Sequence, residues 1–244
     1  MPANIKEKLN QIRQASDENI TSSSKALHLL FIILMGCLAG FLAKYFDILQ
    51  FERVWGIYTG KVFEGLGLLG TIFSVWVFTA TLIAVYSQNP ISAGVHAFCY
   101  LFFLNVTYFI YAAKHYHSSY MRQFIFWTVF AVFAVLLGAV IWYARGGKLI
   151  SNILAAMPIA FFLAEAARAF LHILKAIQEN RIIYGAVPYS VIVVFCILAS
   201  AALAVALPET GLQSLRTAAI SIIAAPIMYF IVNLLWIIVY YFCA

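Results

Sequence analysis

Charged residues are scarce in this sequence. Only 10% of its 244 residues are Asp, Glu, Lys or Arg, whereas a soluble globular domain has roughly 25%. In contrast, 65% of the residues are apolar or aromatic. A water-soluble protein of this length could not bury so much hydrocarbon, because over half of a folded surface is already apolar. The composition therefore excludes an ordinary soluble domain and predicts a surface that contacts lipid.

Motifs for metal binding and catalysis are also lacking. The four cysteines at positions 37, 99, 196 and 243 lie in apolar segments without CxxC spacing, so we interpret them as packing residues. Neither HExxH nor GxSxG occurs. The sequence thus predicts no catalytic residue, no metal ligand and no cofactor. Its net charge of +6 does not indicate nucleic-acid binding, because the basic residues lie mainly in the amino-terminal tail and at the ends of apolar segments.

What the sequence does contain is long apolar segments. A helix that crosses the hydrocarbon layer of a bilayer needs about 20 mostly apolar residues. Seven segments meet this requirement, at about residues 26–44, 66–87, 91–113, 121–144, 148–174, 188–206 and 216–242. We therefore predict an all-α, polytopic transmembrane bundle of about seven helices over residues 26–242. Trp127 and Trp142, near the two ends of the fourth segment, are expected to anchor it at the membrane interfaces.

The first 25 residues form a polar tail. Apolar residues recur within it at helical spacing, which predicts either a short amphipathic segment on the membrane surface or a solvated, frayed helix. The hydroxyl groups of Thr21–Ser24 are expected to cap the first spanning helix. Basic residues outside the spans are divided equally between the two sides. Because a basic tail resists translocation, we expect a multi-pass cell-membrane protein with a cytoplasmic amino terminus.

A polar stripe interrupts the fifth apolar segment. Glu165, Arg168, His172 and Lys175 follow an i, i+3, i+7, i+10 spacing and so share one helix face. Charged groups near the bilayer centre cost about 2.5–3.5 kcal/mol each, so this face should contact protein or water. One interpretation is a polar cavity that binds a solute or carries protons. The alternative is a structural ion pair between Glu165 and Arg168, with His172 and Lys175 reaching the headgroups.

Further polar residues of the spans are candidates for the same cavity. His96 and Asn105 lie well inside the third apolar segment. Each could line a binding site together with Glu165 and Arg168, and the alternative for each is a hydrogen bond between helices. The predicted binding residues of the cavity are therefore Glu165, Arg168, His172, His96 and Asn105.

Small residues follow one face of the first predicted span. Gly36, Ala39, Gly40 and Ala43 recur at helical spacing, and such faces let two helix backbones approach closely. They are the predicted contact for a membrane partner, if the protein is an accessory or immunity component. The stretch LPETG, residues 207–211, matches a sortase sorting signal, but no basic tail follows it. We interpret it as a loop between two helices.

Three stretches resemble the order of elements in a family of small, uncharacterised membrane proteins of Gram-positive bacteria. They are GFLAKYFD (40–47), AVYSQNPISA (84–93) and IWYARGGKLIS (141–151). The shared elements are a helix that ends on a Lys/Asp pair, a Ser-x-x-Pro turn between two spans, and a basic Gly-Lys turn after Trp. The resemblance implies a bacterial membrane protein with a cytoplasmic amino terminus, and it implies no activity.

A second resemblance is carried by the A-x-x-x-A pattern of Ala39 and Ala43. It is similar to the first helix of the substrate-binding subunits of energy-coupling-factor vitamin transporters, which have six spans. This resemblance implies that the protein binds a small solute. Three hypotheses follow: a protein that binds or transports a small solute, lipid or peptide; a partner or immunity component without transport; and, third, a membrane-embedded enzyme.

Overall fold

The computed structural model describes residues 7, 10, 12, 13, 21–49, 56–71, 73–116 and 121–243. Within these residues the regular structure is helical, without a β-strand, which confirms the predicted all-α bundle. The described α-helices are α1 (Ser22–Leu49), α2 (Gly56–Thr71), α3 (Phe73–Val85), α4 (Pro90–Tyr116), α5 (Met121–Ile141), α6 (Leu149–Gln178), α7 (Val187–Ala206) and α8 (Gly211–Cys243). A 3₁₀ turn, Trp142–Arg145, follows α5, and a π-helical turn, Ile182–Ala186, precedes α7. The predicted amphipathic segment of the tail lies mostly outside the described residues.

Six of the described helices are long and apolar enough to cross a membrane, and the bent pair α2–α3 is a candidate for a seventh, broken span or for a re-entrant segment. The two helices of this pair meet at an angle of 47°. We predicted a span at about residues 66–87, and the structure instead has two helices in this region, α2 from Gly56 to Thr71 and α3 from Phe73 to Val85. The charges of Lys61 and Glu64 made the first turns of α2 appear too polar to belong to a span. In the structure these two side chains form an ion pair one turn apart.

Hydrogen bonds from two arginine side chains show which helix ends lie together. Arg13 donates hydrogen bonds to the backbone oxygens of Val85 and Trp142, so the tail, the end of α3 and the 3₁₀ turn meet at one end of the bundle. We call this end, where α1 also begins, the amino side. Arg122, at the start of α5, donates to the backbone oxygen of Tyr241 near the end of α8 at the opposite side. The beginning of α1 and the end of α8 thus lie on opposite sides of the bundle.

The small-residue face of α1 packs inside the chain. A Cβ atom added to Gly36 would lie 2.5 Å from the backbone oxygen of Tyr100 in α4, and one added to Gly40 would overlap the next turn of α4. Further along, Ala43 contacts Gly70 of α2. Ala39 packs against the cluster of buried residues between α1, α3 and α4. The face that we predicted for a partner is therefore filled by α4 and α2, since glycine allows the backbones to touch.

Two tryptophans that we expected at the membrane interfaces turn inward instead. Trp142 is only 1% exposed, and its indole nitrogen donates to the backbone oxygen of Ser87 at 2.7 Å. Trp127 packs against Trp76, with ring centres 5.1 Å apart. Burial of an indole requires a partner for its N–H group, and the loop between α3 and α4 supplies one for Trp142. The prediction of lipid-facing anchors is wrong for Trp142.

Local hydrogen bonds explain why several helices begin where they do. The hydroxyl oxygen of Thr21 accepts the backbone N–H of Ser24, which confirms the predicted cap of α1. In the LPETG stretch, the Thr210 hydroxyl accepts the backbone N–H of Gln213, and the Gln213 side chain accepts the backbone N–H of Thr210 in return. This reciprocal arrangement is a capping box. The stretch therefore starts α8, as expected of a loop between helices.

Candidate functional site

Glu165 lies at the centre of the bundle, on the most buried of the spanning helices. Its side chain is fully buried. One carboxylate oxygen accepts hydrogen bonds from Nε and Nη2 of Arg168 at 3.0 and 2.8 Å. The other accepts the indole N–H of Trp236, on α8, at 3.0 Å. Both oxygens therefore have partners, and the ion pair of the structural alternative is present.

Arg168 and Glu165 together hold the indole of Trp236. The guanidinium carbon of Arg168 lies 4.5 Å from the centre of the indole ring, over its face. Because Glu165 binds the edge of the same ring, the indole is fixed both by a hydrogen bond and by a cation–π contact. Burial also favours this arrangement, since a charged group inside a bundle needs a partner. The ion pair thus sets the orientation of Trp236.

Trp236 forms part of the wall of a cavity of about 290 Å³, which we call the aromatic cavity. The cavity lies among α1, α2, α3, α4, α5 and α8, in the half of the bundle away from the amino side. Its lining residues are Lys44, Leu68, Trp76, Tyr108, Phe109, Ala112, Gln123, Trp127, Trp236 and Val239. Half of these residues are aromatic, so most of the wall is apolar and rigid.

The rings of the wall support one another. Trp76 packs edge-on against both Trp127 and Tyr108, with ring centres 5.1 and 6.5 Å apart. Lys44 supplies a positive charge at the wall; its ammonium group lies 5.2 Å from the centre of the Tyr108 ring and is ion-paired with Asp47. Such a cavity offers an apolar interior with a few polar groups at its edge, which is the usual composition of a ligand site.

The remaining residues of the predicted stripe, His172 and Lys175, do not line this cavity. The ring of His172 stacks on that of Tyr189, with centres 4.5 Å apart and an interplanar angle of 10°. Lys175 is largely exposed and lies 3.9 Å from Glu179. Beyond the end of α6, Arg181 hydrogen-bonds to Glu179 and lowers the pKa of that carboxyl group. The stripe therefore divides into a buried ion pair and a surface part.

His96 and Asn105 are not brought together with Glu165 and Arg168 in the cavity. His96 lies near the amino side, where its Nδ1 is 2.9 Å from the hydroxyl oxygen of Ser87. Asn105 is buried in α4, and its side-chain oxygen has no hydrogen-bond partner among the described residues. None of the five predicted binding residues is part of the lining of the aromatic cavity. Glu165 and Arg168 reach it only through Trp236.

Comparison of the chain with family models, curated proteins and solved structures gives no match. The two family resemblances of the sequence therefore stay predictions, and the function has to be argued from the site. Within the part of the chain that the structure describes, no group of three or more His, Cys, Asp or Glu side chains could hold a metal ion. The aromatic cavity and its supporting ion pair are the features from which the argument proceeds.

The residues that line the cavity were missed by sequence reasoning. Trp76, Phe109 and Trp127 lie within long apolar runs, where an aromatic side chain that faces lipid has the same pattern as one that faces a cavity. The sequence offered one signal for the lining of the cavity, which was a polar residue close to the end of a predicted span. Lys44 and Gln123 both fall there, and both line the cavity.

Proposed function

We propose that this integral membrane protein binds an amphiphile, whose apolar part occupies the aromatic cavity. The observation that carries the proposal is the composition of the wall, in which half of the lining residues are aromatic and Lys44 and Gln123 are the polar, non-aromatic ones. Its volume of about 290 Å³ is near the lower limit of the roughly 300–1,000 Å³ of known ligand pockets. A single acyl or isoprenoid chain has suitable chemistry for this space.

The charge at the wall indicates the polar part of the ligand. Lys44 contributes a positive charge, and Gln123 can both donate and accept hydrogen bonds. An anionic or strongly polar headgroup would thus meet Lys44 while the chain contacts Trp76 and Trp127. The Asp47 carboxylate already neutralises part of the charge of Lys44, so we expect contact with the apolar wall to supply most of the affinity.

The broken span supports a further step, from binding to transport. Leu68 precedes the break between α2 and α3 and Trp76 follows it, and both line the cavity. In many transporters, broken helices lie at the substrate site, because the helix ends and the backbone groups freed at the break can contact the substrate. We therefore favour a carrier of amphiphiles over an accessory subunit or an enzyme.

Quenching of tryptophan fluorescence tests the binding proposal. Three of the five tryptophans, at positions 76, 127 and 236, line the cavity. Bromododecanoate, a fatty acid whose bromine atom quenches indoles on contact, should quench the purified protein with a saturable phase. Replacement of the buried Ala112 by Phe should fill the cavity and remove that phase. Circular dichroism checks that the variant is folded, since overpacking costs about 1–3 kcal/mol.

The matched control is the same substitution at Ala201, which is exposed on α7. Ala201→Phe should retain the saturable phase, because the residue faces the surroundings of the bundle. If folded Ala112→Phe protein were quenched with the same saturation as the native protein and Ala201→Phe, the fatty acid would bind outside the cavity. The proposal would then be wrong.

A further inference from the structure

A second cavity lies at the amino side, between the first turns of α1 and α4. Its volume is about 730 Å³, within the roughly 300–1,000 Å³ expected of a ligand pocket. We call it the amino-side groove. Its lining residues are Ser24, Lys25, Leu27, His28, Leu30, Phe31, Leu34, Gln88, Asn89, Ser92 and His96. Polar and apolar residues are segregated within it, and this segregation indicates what it binds.

The polar end of the groove favours an anion. Lys25 carries a positive charge there, and no residue of the lining, as far as the structure describes it, is acidic. Two helices also begin at this end, and Asn89 caps α4 by accepting the backbone N–H of Ser92 at 2.8 Å. Helix amino termini carry a partial positive charge. Because three sources of positive potential meet at this end, it complements a phosphate group.

Two histidines extend the polar end. The Ser87 hydroxyl donates to the backbone oxygen of Ile83 at 2.7 Å, so its remaining interaction, at 2.9 Å, must be to accept the Nδ1–H of His96. This bond orients the His96 ring and leaves Nε2 as its other polar atom. The ring of His28 packs edge-on against it, with centres 5.9 Å apart. The imidazoles of the two histidines thus lie side by side in the groove.

The apolar end of the groove distinguishes a lipid from a free anion. Leu27, Leu30, Phe31 and Leu34 follow one another along α1, away from its polar first turn. All four are more than half exposed, at 67%, 51%, 58% and 57%. An acyl chain can cover these four side chains and bury apolar surface, whereas a free phosphate has no apolar part to contact them. The groove therefore has a polar end followed by an apolar end, as a phospholipid has a polar headgroup followed by acyl chains.

We propose that the amino-side groove binds one anionic phospholipid. Its phosphate contacts Lys25 and the amino termini of α1 and α4, and its acyl chain follows Leu30 and Phe31 along α1. This site is separate from the aromatic cavity and lies at the other side of the bundle. The proposal therefore stands or falls independently of ligand binding to that cavity.

Native mass spectrometry of the full-length protein in neutral detergent tests this proposal. Delipidated protein is titrated with phosphatidylglycerol, with phosphatidylcholine and with inorganic phosphate, and bound molecules are counted. We expect one phosphatidylglycerol to bind at least about tenfold more tightly than phosphatidylcholine, a difference that one charge-assisted contact can supply. Lys25→Gln should weaken that binding by about tenfold, and Ser24→Trp should abolish it by filling the groove.

Lys148→Gln is the matched control, because Lys148 is an exposed lysine near the same side of the bundle. It should bind phosphatidylglycerol as the native protein does. Equal loss in Lys148→Gln and Lys25→Gln would indicate general surface charge and overturn the site. Equal affinity for the two lipids, unchanged binding to folded Ser24→Trp protein, or binding of inorganic phosphate as tight as that of phosphatidylglycerol would also overturn it.

Discussion

Removal of either partner of the buried ion pair should destabilise the protein more than removal of both. Arg168→Gln leaves the Glu165 carboxylate, which is fully buried, without its counter-charge, although the indole N–H of Trp236 still donates to it. Glu165→Gln leaves the guanidinium without its counter-charge but keeps an acceptor for Trp236. In the double variant both charges are gone, and the two amides can hydrogen-bond to each other.

The structure gives the order and the rough size of these effects. An uncompensated buried charge costs about 3–5 kcal/mol, so we expect a loss of this size for Arg168→Gln. Glu165→Gln should cost less, about 1–3 kcal/mol, since Arg168 is 12% exposed and keeps its contact with the face of Trp236. The double variant should lose less than about 2 kcal/mol, so the coupling between the positions is at least about 2 kcal/mol.

Reversible unfolding in mixed micelles measures these differences. The mole fraction of sodium dodecyl sulfate is raised, and far-UV circular dichroism gives the free energy of unfolding of each variant. Glu179→Gln serves as control, because it removes an exposed carboxylate just beyond the end of α6 from its pairs with Lys175 and Arg181, and it should change nothing measurable. If the double variant lost the sum of the two single losses to within about 0.5 kcal/mol, Glu165 and Arg168 would not act as a pair.

Three further changes test the packing and the helix ends. Gly40→Ala should lower the unfolding free energy by about 1–3 kcal/mol, because the new methyl group meets the α4 backbone; Gly211→Ala, which meets no atom within 4 Å, should not. Thr210→Ala should cost about 1 kcal/mol through loss of the α8 cap, measured in the same micelles. Trp142→Phe should speed tryptic cleavage after Arg13, because the guanidinium lies over the indole, 4.1 Å from its centre; an unchanged rate would contradict this contact.

The architecture of the bundle could be predicted because lipid imposes a simple requirement on the chain. Each span must be long, mostly apolar and helical, so most of the helices appear in the sequence as long apolar runs. Local signals were equally direct. The hydroxyl of Thr21 caps α1 where expected, since a capping side chain acts within one turn of its own position.

The aromatic cavity could not be predicted, because its position depends on how the helices rotate against each other. Trp76 and Trp127 become wall residues only where α3, α4 and α5 meet, and their contacts lie far apart in sequence. The partner of Gly36 on the small-residue face of α1 could not be predicted either, because it also depends on how the helices pack. A small-residue face shows that some helix packs closely, but the sequence does not show whether that helix belongs to the same chain.

The contacts of Glu165 support a geometric role for the ion pair. Its carboxylate accepts two hydrogen bonds from Arg168 and one from Trp236. These contacts join α6 to α8 through one carboxylate, and they neutralise the charge of Arg168 inside the bundle. We therefore expect the ion pair to act through the position of Trp236, whose indole it fixes in the wall where an apolar chain would bind.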